Sequence, residues 1–324
     1  MGLFIVTGGA GFIGSTIVRA LNDAGTSDIV VVDDLTHGSK HANLADCRIT
    51  DLLDRREFLD RVERCAFDAT VEAVLHQGAC TDTMERDEGL MMEHNFRSSE
   101  VLLRWVVPAG IPFVYASSAA VYGGSTAFAE EERNERPLNI YGQSKLRFDQ
   151  LVRGALPEAR ATVVGLRYFN VYGPREAHKG RMASVVFQMA RQLRETGEVR
   201  LFVGTGGYAD GEQRRDFVYV EDIVRVNLFF ARGPVRKGVV NCGTGKSRSF
   251  NDVARALIAA HGSGTIQYTA LPDGLESQYQ SFTEADLAGL RRLGYEASWL
   301  DVEEGVRRYY GALSGAEPAR GAGS

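Results

Sequence analysis

Three glycines at intervals of three, Gly8, Gly11 and Gly14, stand between an apolar, β-branched run at 3–7 and a segment whose apolar residues recur at helical spacing. At such a strand-to-helix turn the first glycine permits the tight turn and the second lets a phosphate approach the backbone. The third lets the helix pack against its strand with the helix N-terminus facing the anion. A glycine-rich turn by itself also suits a purely structural role. Asp33 moves it toward dinucleotide binding: it lies roughly 20 residues past the last glycine, at the end of the next apolar run, where a carboxylate accepts hydrogen bonds from an adenosine ribose. The motif predicts a bound dinucleotide, with Gly8, Gly11, Phe12, Ile13 and Gly14 around its pyrophosphate and Asp33 on its ribose.

The alternation continues along the chain. Strands are expected at 3–7, 29–32, 71–76, 112–117 and 161–168, and helices at 13–24, 54–65, 86–109 and 141–156. Short β-branched runs alternating with helix-length amphipathic segments mean parallel βαβ units. The expected fold class is therefore α/β, a Rossmann doubly wound parallel sheet with a smaller α/β substrate-binding lobe. Its dinucleotide-binding domain takes residues 1–170 and 216–243, the latter returning one strand and one helix to the sheet. The substrate lobe takes 171–215 and 244–313. Residues 204–213 have the composition of a mobile loop, and 314–324 that of a disordered tail.

At 324 residues and 44% hydrophobic, the chain has material for a large core and a second lobe. Lys and Arg number 37 against 42 Asp and Glu, a formal charge of −5 without a dominant basic stretch, which argues against nucleic acid as a partner. Cys47, Cys65, Cys80 and Cys242 are scattered without metal-ligand spacing, so reduced thiols and no metal are expected, in keeping with the cytoplasm. Apolar runs are of strand length and the N-terminus lacks a basic-then-apolar pattern, so neither membrane spanning nor secretion is expected.

Tyr141 and Lys145 stand four apart on an expected helix, which puts them on one face. Oxidising a secondary alcohol sends a hydride to a nicotinamide and a proton to a base. A phenol that titrates near ~10 needs a neighbouring cation before it serves as that base, and Lys145 would supply it. As an isolated pair, Tyr and Lys on an exposed helix face would be unremarkable; Ser117 and Ser118 at a preceding strand end make the chemical reading stronger.

The GxxGxxG spacing, the Tyr141–Lys145 pair and the run RYFNVYGP at 167–174 together resemble the extended short-chain dehydrogenase/reductases, whose substrates are typically nucleotide sugars. Ala79 and Cys80, YASSAAVYGG at 115–124, EAHKGRMAS at 176–184 and RDFVYV at 215–220 are more specifically similar to the ADP-L-glycero-D-manno-heptose 6-epimerases. The resemblance runs from Phe4 to about Leu313. It implies an enzyme, an isomerase that oxidises C6″ of an ADP-heptose and returns the hydride to the other face, in lipopolysaccharide precursor synthesis. It gives Ser118 the role of hydrogen-bonding the reacting oxygen, Lys145 a second role on the nicotinamide ribose, and Lys179 that of a second proton-transferring residue. It also implies a homo-oligomer, with a pentamer as one candidate.

The same resemblance implies NADP, with Lys40 and Arg55 as cations near its phosphate. Asp33 by itself favours NAD, because a carboxylate repels a 2′-phosphate. Asp34 adds further negative charge where the family would place asparagine, so NAD stays open. Gln77, Gly78, Ala79, Cys80 and Thr81 should line the pyrophosphate and ribose, with Asn95 nearby. For the ADP-sugar, the matching positions are Ser118, Asn170, Arg181, Gln188, Leu201, Phe202, Val203, Gly204, Arg215 and Tyr279. Of these Arg215 is the expected diphosphate ligand, since a planar guanidinium fork suits paired oxygens. Family dehydratases carry Thr-Asp-Glu where this chain has Ser118, Ala119 and Ala120, so elimination of water is not expected. Three alternatives remain: a UDP-hexose 4-epimerase, a net sugar-nucleotide reductase or dehydrogenase, and a dinucleotide-binding sensor without catalysis.

Overall fold

A computed structural model describes residues 2–36, 38–64, 67, 70–272 and 280–315. In chain order its strands are β1 (Leu3–Thr7), β2 (Ile29–Asp33), β3 (Asp51–Asp54), β4 (Val71–His76), β5 (Phe113–Ser118), β6 (Val163–Tyr168), β7 (Asn170–Tyr172), β8 (Glu198–Phe202), β9 (Arg214–Arg215), β10 (Phe217–Tyr219), β11 (Lys237–Cys242), β12 (Arg248–Ser249) and β13 (Thr265–Thr269). The α-helices are α1 (Phe12–Asp23), α2 (Arg55–Glu63), α3 (Glu88–Met92), α4 (Ser98–Ala109), α5 (Ile140–Ala155), α6 (Val185–Thr196), α7 (Val220–Arg232), α8 (Phe250–His261), α9 (Ala288–Arg292) and α10 (Val302–Leu313).

Seven strands make one parallel sheet in the order β11-β6-β5-β4-β1-β2-β3. Every residue of β1 and β2 is buried, as unbroken apolar runs require when helices cover both faces of a parallel sheet. Ile17, Val18 and Leu21 of α1 and Ile223, Val226 and Phe230 of α7 close one face. Phe58 and Val62 of α2, Leu102 and Val106 of α4, and Phe148 and Val152 of α5 close the other. Strand order reverses between β1 and β4, and in such sheets ligands bind outside the carboxyl ends of the strands at that switch point.

After β6 the chain builds a third core, where α6, α8 and α10 pack around Val199 and Leu201 of β8. Between the two parts runs α7–β11, and β11 pairs with β6 in full register from Lys237 to Cys242. The helix expected at 86–109 is interrupted: a wide π turn at Glu93–Arg97 separates α3 from α4. That extra residue in the turn carries Asn95 to a site 1% exposed, where its side chain meets Cys80, and π bulges of this kind frequently mark functional sites. β3, absent from the expected strands, pairs with β2 at the sheet edge; its sequence DLLD is too short and polar to announce a strand.

Candidate active site

Gly8 and Gly14 of the glycine-rich turn leave no room for a side chain. A Cβ on Gly14 would lie 2.1 Å from the Gly8 carbonyl oxygen, and one on Gly8, whose φ is +64°, would lie 2.6 Å from the Gly78 nitrogen. Gly11 stands at the N-cap of α1 and offers no capping side chain, so the positive end of the helix dipole is left to an external anion. At the end of β2, Asp33 accepts hydrogen bonds from the backbone N–H of Ala10 at 2.9 Å and of Asp34 at 2.7 Å, and pairs closely with Lys40. Asp34 accepts from the Thr36 N–H and hydroxyl at 2.9 and 2.6 Å. Asp33, Asp34, Lys40 and Arg55 line one pocket of about 280 Å³ together with Gly78 and Cys80. These residues fit the adenosine half of a dinucleotide.

Arg55 is itself placed by Ser98 Oγ at 3.4 Å and by His94 Nε2 at 3.2 Å. His94, which the sequence reading missed, also lines this pocket. Burial first, and the Arg55 charge second, hold its imidazole below the ordinary range. Its one signal in the sequence is its place beside Asn95.

From the same strand ends a larger cleft of about 560 Å³ opens toward the second lobe, and Gln77, Ala79, Thr81, Ser118, Tyr141, Lys145, Asn170 and Lys179 all line it. The local structure explains why Tyr141 stands next to Ser118. The Asn139 side chain accepts from the Gly142 N–H at 2.8 Å and so starts α5, placing Tyr141 in its first turn. Gly142 lets that turn approach the segment just after β5, because a Cβ there would lie 2.7 Å from the Ala120 carbonyl oxygen. Ser118 Oγ in turn accepts from the Ala120 N–H at 3.1 Å.

Lys145 is buried and donates to the Ala116 carbonyl at 2.9 Å. Burial brings its pKa down to about 8, with the opposing charge of Asp149 limiting the fall. The phenol of Tyr141 is raised, not lowered: burial outweighs its hydrogen bond with Ser118. The expectation that Lys145 alone brings this phenol toward neutrality is thus not met in the protein by itself. Lys179 lies in a short 3₁₀ segment, Ala177–Met182, with its ammonium 5.6 Å from the centre of the Phe12 ring. Burial lowers its pKa, against the charge of Glu176.

The structure brings the remaining positions to the cleft unevenly. Leu201 and Phe202 line it. Beyond them Gly204 closes a turn, its N–H on Asp210 at 2.7 Å, and Val203 bonds to Thr269 at 2.9 Å. Arg215 is 8% exposed and stacks its guanidinium 5.6 Å over the Phe250 ring, which does face the cleft. Arg181 points outward to Asp82 at 2.9 Å, and Gln188 donates to the Gly180 carbonyl at 2.7 Å, so neither is among the lining residues. Asn95 serves from behind, holding the Cys80 N–H and carbonyl at 2.7 and 3.0 Å and Ser144 Oγ at 3.1 Å. Gly78 donates to Thr7 Oγ1 at 3.1 Å. Tyr279 lies outside the described residues, as do residues 316–324 of the expected tail. Arg200, Gln213 and Met189 line the cleft and were not anticipated, since nothing in an ordinary strand, loop or helix marks them before the lobe folds.

A Rossmann sheet whose strand ends bring together a glycine-rich turn, a buried carboxylate at the end of β2 and a Ser, Tyr and Lys set has the build of a nicotinamide-dependent enzyme of the short-chain dehydrogenase/reductase type. The chain belongs to the NAD dependent epimerase/dehydratase family, which its residues 4–243 match. Within it, the chain is 54% identical over 314 residues to the ADP-L-glycero-D-manno-heptose-6-epimerase of Alkalilimnicola ehrlichii, covering 97% of this chain and 98% of that protein. It is 52% identical over 320 residues to the enzyme of the same name from Thiobacillus denitrificans, covering 94% and 96%. Its fold is similar to the crystal structure of Helicobacter pylori ADP-L-glycero-D-manno-heptose-6-epimerase, with a TM-score of 0.82, 30% identity and coverage of 97% and 96%. Among the described residues, no helix is long and apolar enough to cross a membrane.

Proposed function

We propose that this chain is an epimerase that inverts C6″ of ADP-D-glycero-D-manno-heptose, through a transient ketone, to give ADP-L-glycero-D-manno-heptose. The observation that carries the reading is the pairing of Tyr141 and Lys179 on one cleft. When bound, the oxidised nicotinamide takes up the C6″ hydride and gives it back. Because the hydride leaves to and returns from one face, the ketone must present its opposite face, and its oxygen must move. Tyr141, with Ser118, exchanges a proton with that oxygen in one orientation, and Lys179 does so in the other. Depressed by burial, Lys179 spends more of its time neutral than a solvated lysine and so is able to accept a proton. Residues 1–170 with 216–243 hold the dinucleotide, and 171–215 with 244–313 hold the ADP-sugar. Asn170, Leu201 and Phe202 line the cleft that would receive this ADP-sugar, whereas Arg215, the diphosphate ligand of this reading, stacks behind the lining residue Phe250 and is not itself among the lining residues. The working form is a homo-oligomer.

NADP is the cofactor this reading favours. Lys40 already offsets the charge of Asp33, and Arg55 lines the same pocket, so a 2′-phosphate would meet two cations as well as two carboxylates. NAD is the competing choice, carried by Asp33 and Asp34. The test incubates the purified enzyme separately with ADP-D-glycero-D-manno-heptose and with UDP-glucose and assays each for inversion. Inversion of the heptose with no net change in nicotinamide absorbance is expected. Inversion of UDP-glucose only, or net reduction of the cofactor at each turnover, would replace this reading with a 4-epimerase or a dehydrogenase.

A further inference from the structure

The proposed second base needs a fixed position, and nothing in its own segment provides a long element to hold it. Lys179 lies in a single 3₁₀ stretch in which Gly180 has φ +54°. The segment is instead tied to the other lobe by Asn43, at the end of a second 3₁₀ turn, Gly38–Leu44. The Asn43 amide nitrogen lies 3.0 Å from the Ala10 carbonyl oxygen in the glycine-rich turn, 3.1 Å from the Arg175 carbonyl oxygen and 3.2 Å from His178 Nδ1. Burial and the Lys179 charge keep His178 below its ordinary range, consistent with a neutral ring whose Nδ1 accepts.

Arg175 completes the tie from the opposite side. Its guanidinium donates to the Asn43 carbonyl and forks onto Asp46 at 2.8 and 2.6 Å. Among the described residues it is the one non-glycine residue with positive φ, at 75°. A left-handed conformation at a residue with a Cβ persists only where its surroundings hold it. After it, the Lys179 N–H returns to the Glu176 carbonyl at 3.0 Å. Glu176 is fully buried and anchored by Ser184 Oγ at 2.7 Å and the Tyr309 hydroxyl at 2.9 Å. The segment is thus pinned at one end to its own lobe and at the other, through Asn43, to the dinucleotide cradle. The same 3₁₀ turn also carries Lys40, which pairs with Asp33.

We propose that Asn43 is a positioning residue for the epimerisation, fixing the Lys179 segment to the glycine-rich turn so that the second proton-transferring group and the cofactor cradle move as one body. This rests on the two-base reading above. A displacement of about 1 Å at a reacting group costs on the order of 10²-fold in rate, so loosening this tie should cost turnover without removing any group that touches the substrate.

The test uses full-length enzyme with its cofactor and the variants Asn43→Ala and Asp46→Asn, the second leaving Asn43 in place and removing the carboxylate on which Arg175 forks. Asn43→Ala is expected to lower kcat by at least about 10-fold with KM little changed, and to speed amide hydrogen exchange across residues 175–182. Asp46→Asn should do the same more weakly. Single-turnover oxidation is the sharper readout: the C6″ hydride passes to the bound nicotinamide while the hydroxyl proton passes to a base. Cofactor reduction by the epimer that uses Tyr141 should stay near the wild-type rate, and reduction by the other epimer should slow. Wild-type turnover and exchange in Asn43→Ala would overturn the inference. So would an equal loss for both epimers with a lowered unfolding midpoint, the mark of a general packing defect. Lys179→Met separates the two layers: if it turns over normally the two-base reading fails, whereas a severe defect there beside an unaffected Asn43→Ala removes only the role of Asn43.

Discussion

Arg167 Nε donates to Asp149 Oδ2 at 2.9 Å, and neither side chain touches solvent. The two belong to adjacent elements, β6 and α5, beneath the cleft. Asp149 also accepts from the Tyr115 and Ser117 hydroxyls, each at 2.9 Å, and Arg167 reaches Glu135 at 2.5 Å and the Tyr122 hydroxyl at 3.1 Å. One turn before Asp149 on the same helix stands Lys145, whose charged form that carboxylate supports. The ion-pair network thus joins the strand end bearing Ser117 and Ser118 to the helix bearing Tyr141 and Lys145.

Breaking that network from one side should be costly. Arg167→Met leaves Asp149 buried without its cation and leaves Glu135 with Arg153 alone, a change expected to destabilise the fold by about 3–5 kcal/mol. Removing Asp149 as well, in Arg167→Met with Asp149→Leu, should recover part of the loss. Denaturant midpoints of the two variants test this; a single variant as stable as wild type would show that the pair contributes nothing.

Tyr141→Phe removes the phenolic proton and keeps the ring. Turnover should fall by at least ~10²-fold, the scale of losing a general base, while affinity for the nicotinamide dinucleotide is retained. Rapid epimerisation by this variant would exclude the phenol as the base.

Lys145 gives a pH dependence with a definite sign. Below about 8 its buried amine is protonated, and above that it is neutral. Cofactor affinity of the nucleotide-free protein should therefore weaken as pH rises through about 8, and Lys145→Arg, which stays charged, should flatten the profile. Stability runs the other way. Between about 8 and the ordinary lysine value of 10.5 the unfolded chain holds a proton that the native state does not, so this group's contribution rises with pH across that window and is lost as pH falls through about 8. Binding titrations and denaturation at stepped pH measure the two trends separately.

Lys40→Ala leaves Asp33 and Asp34 without the cation that now pairs with the first of them. NADP should lose affinity by at least ~10-fold and NAD by much less, because only the 2′-phosphate needs that charge. Cofactor extracted from wild-type protein should be mainly NADP. An extract of NAD alone would show that the two carboxylates outweigh Lys40 and Arg55.

Features whose physics is local can be read from residue order. A glycine needed for close approach leaves its mark at one position, a buried parallel strand is an unbroken apolar run, and two side chains four apart on a helix share a face; so Gly8, Gly11, Gly14, Asp33, Tyr141 and Lys145 stand out in the order of residues alone. The match of residues 176–184 to a known family likewise pointed to Lys179. The rest of the cleft depends on distances that no local pattern encodes. Arg200 and Gln213 enter the cleft only because the second lobe closes over the sheet ends, whereas Arg181 turns away to Asp82. Whether burial or a neighbouring charge governs the Tyr141 phenol depends on how much water the fold excludes, and burial won. Asn43 stands 132 residues from the Arg175 carbonyl oxygen that its side chain meets. A contact across that separation leaves no periodicity to read and exists only once both lobes have folded.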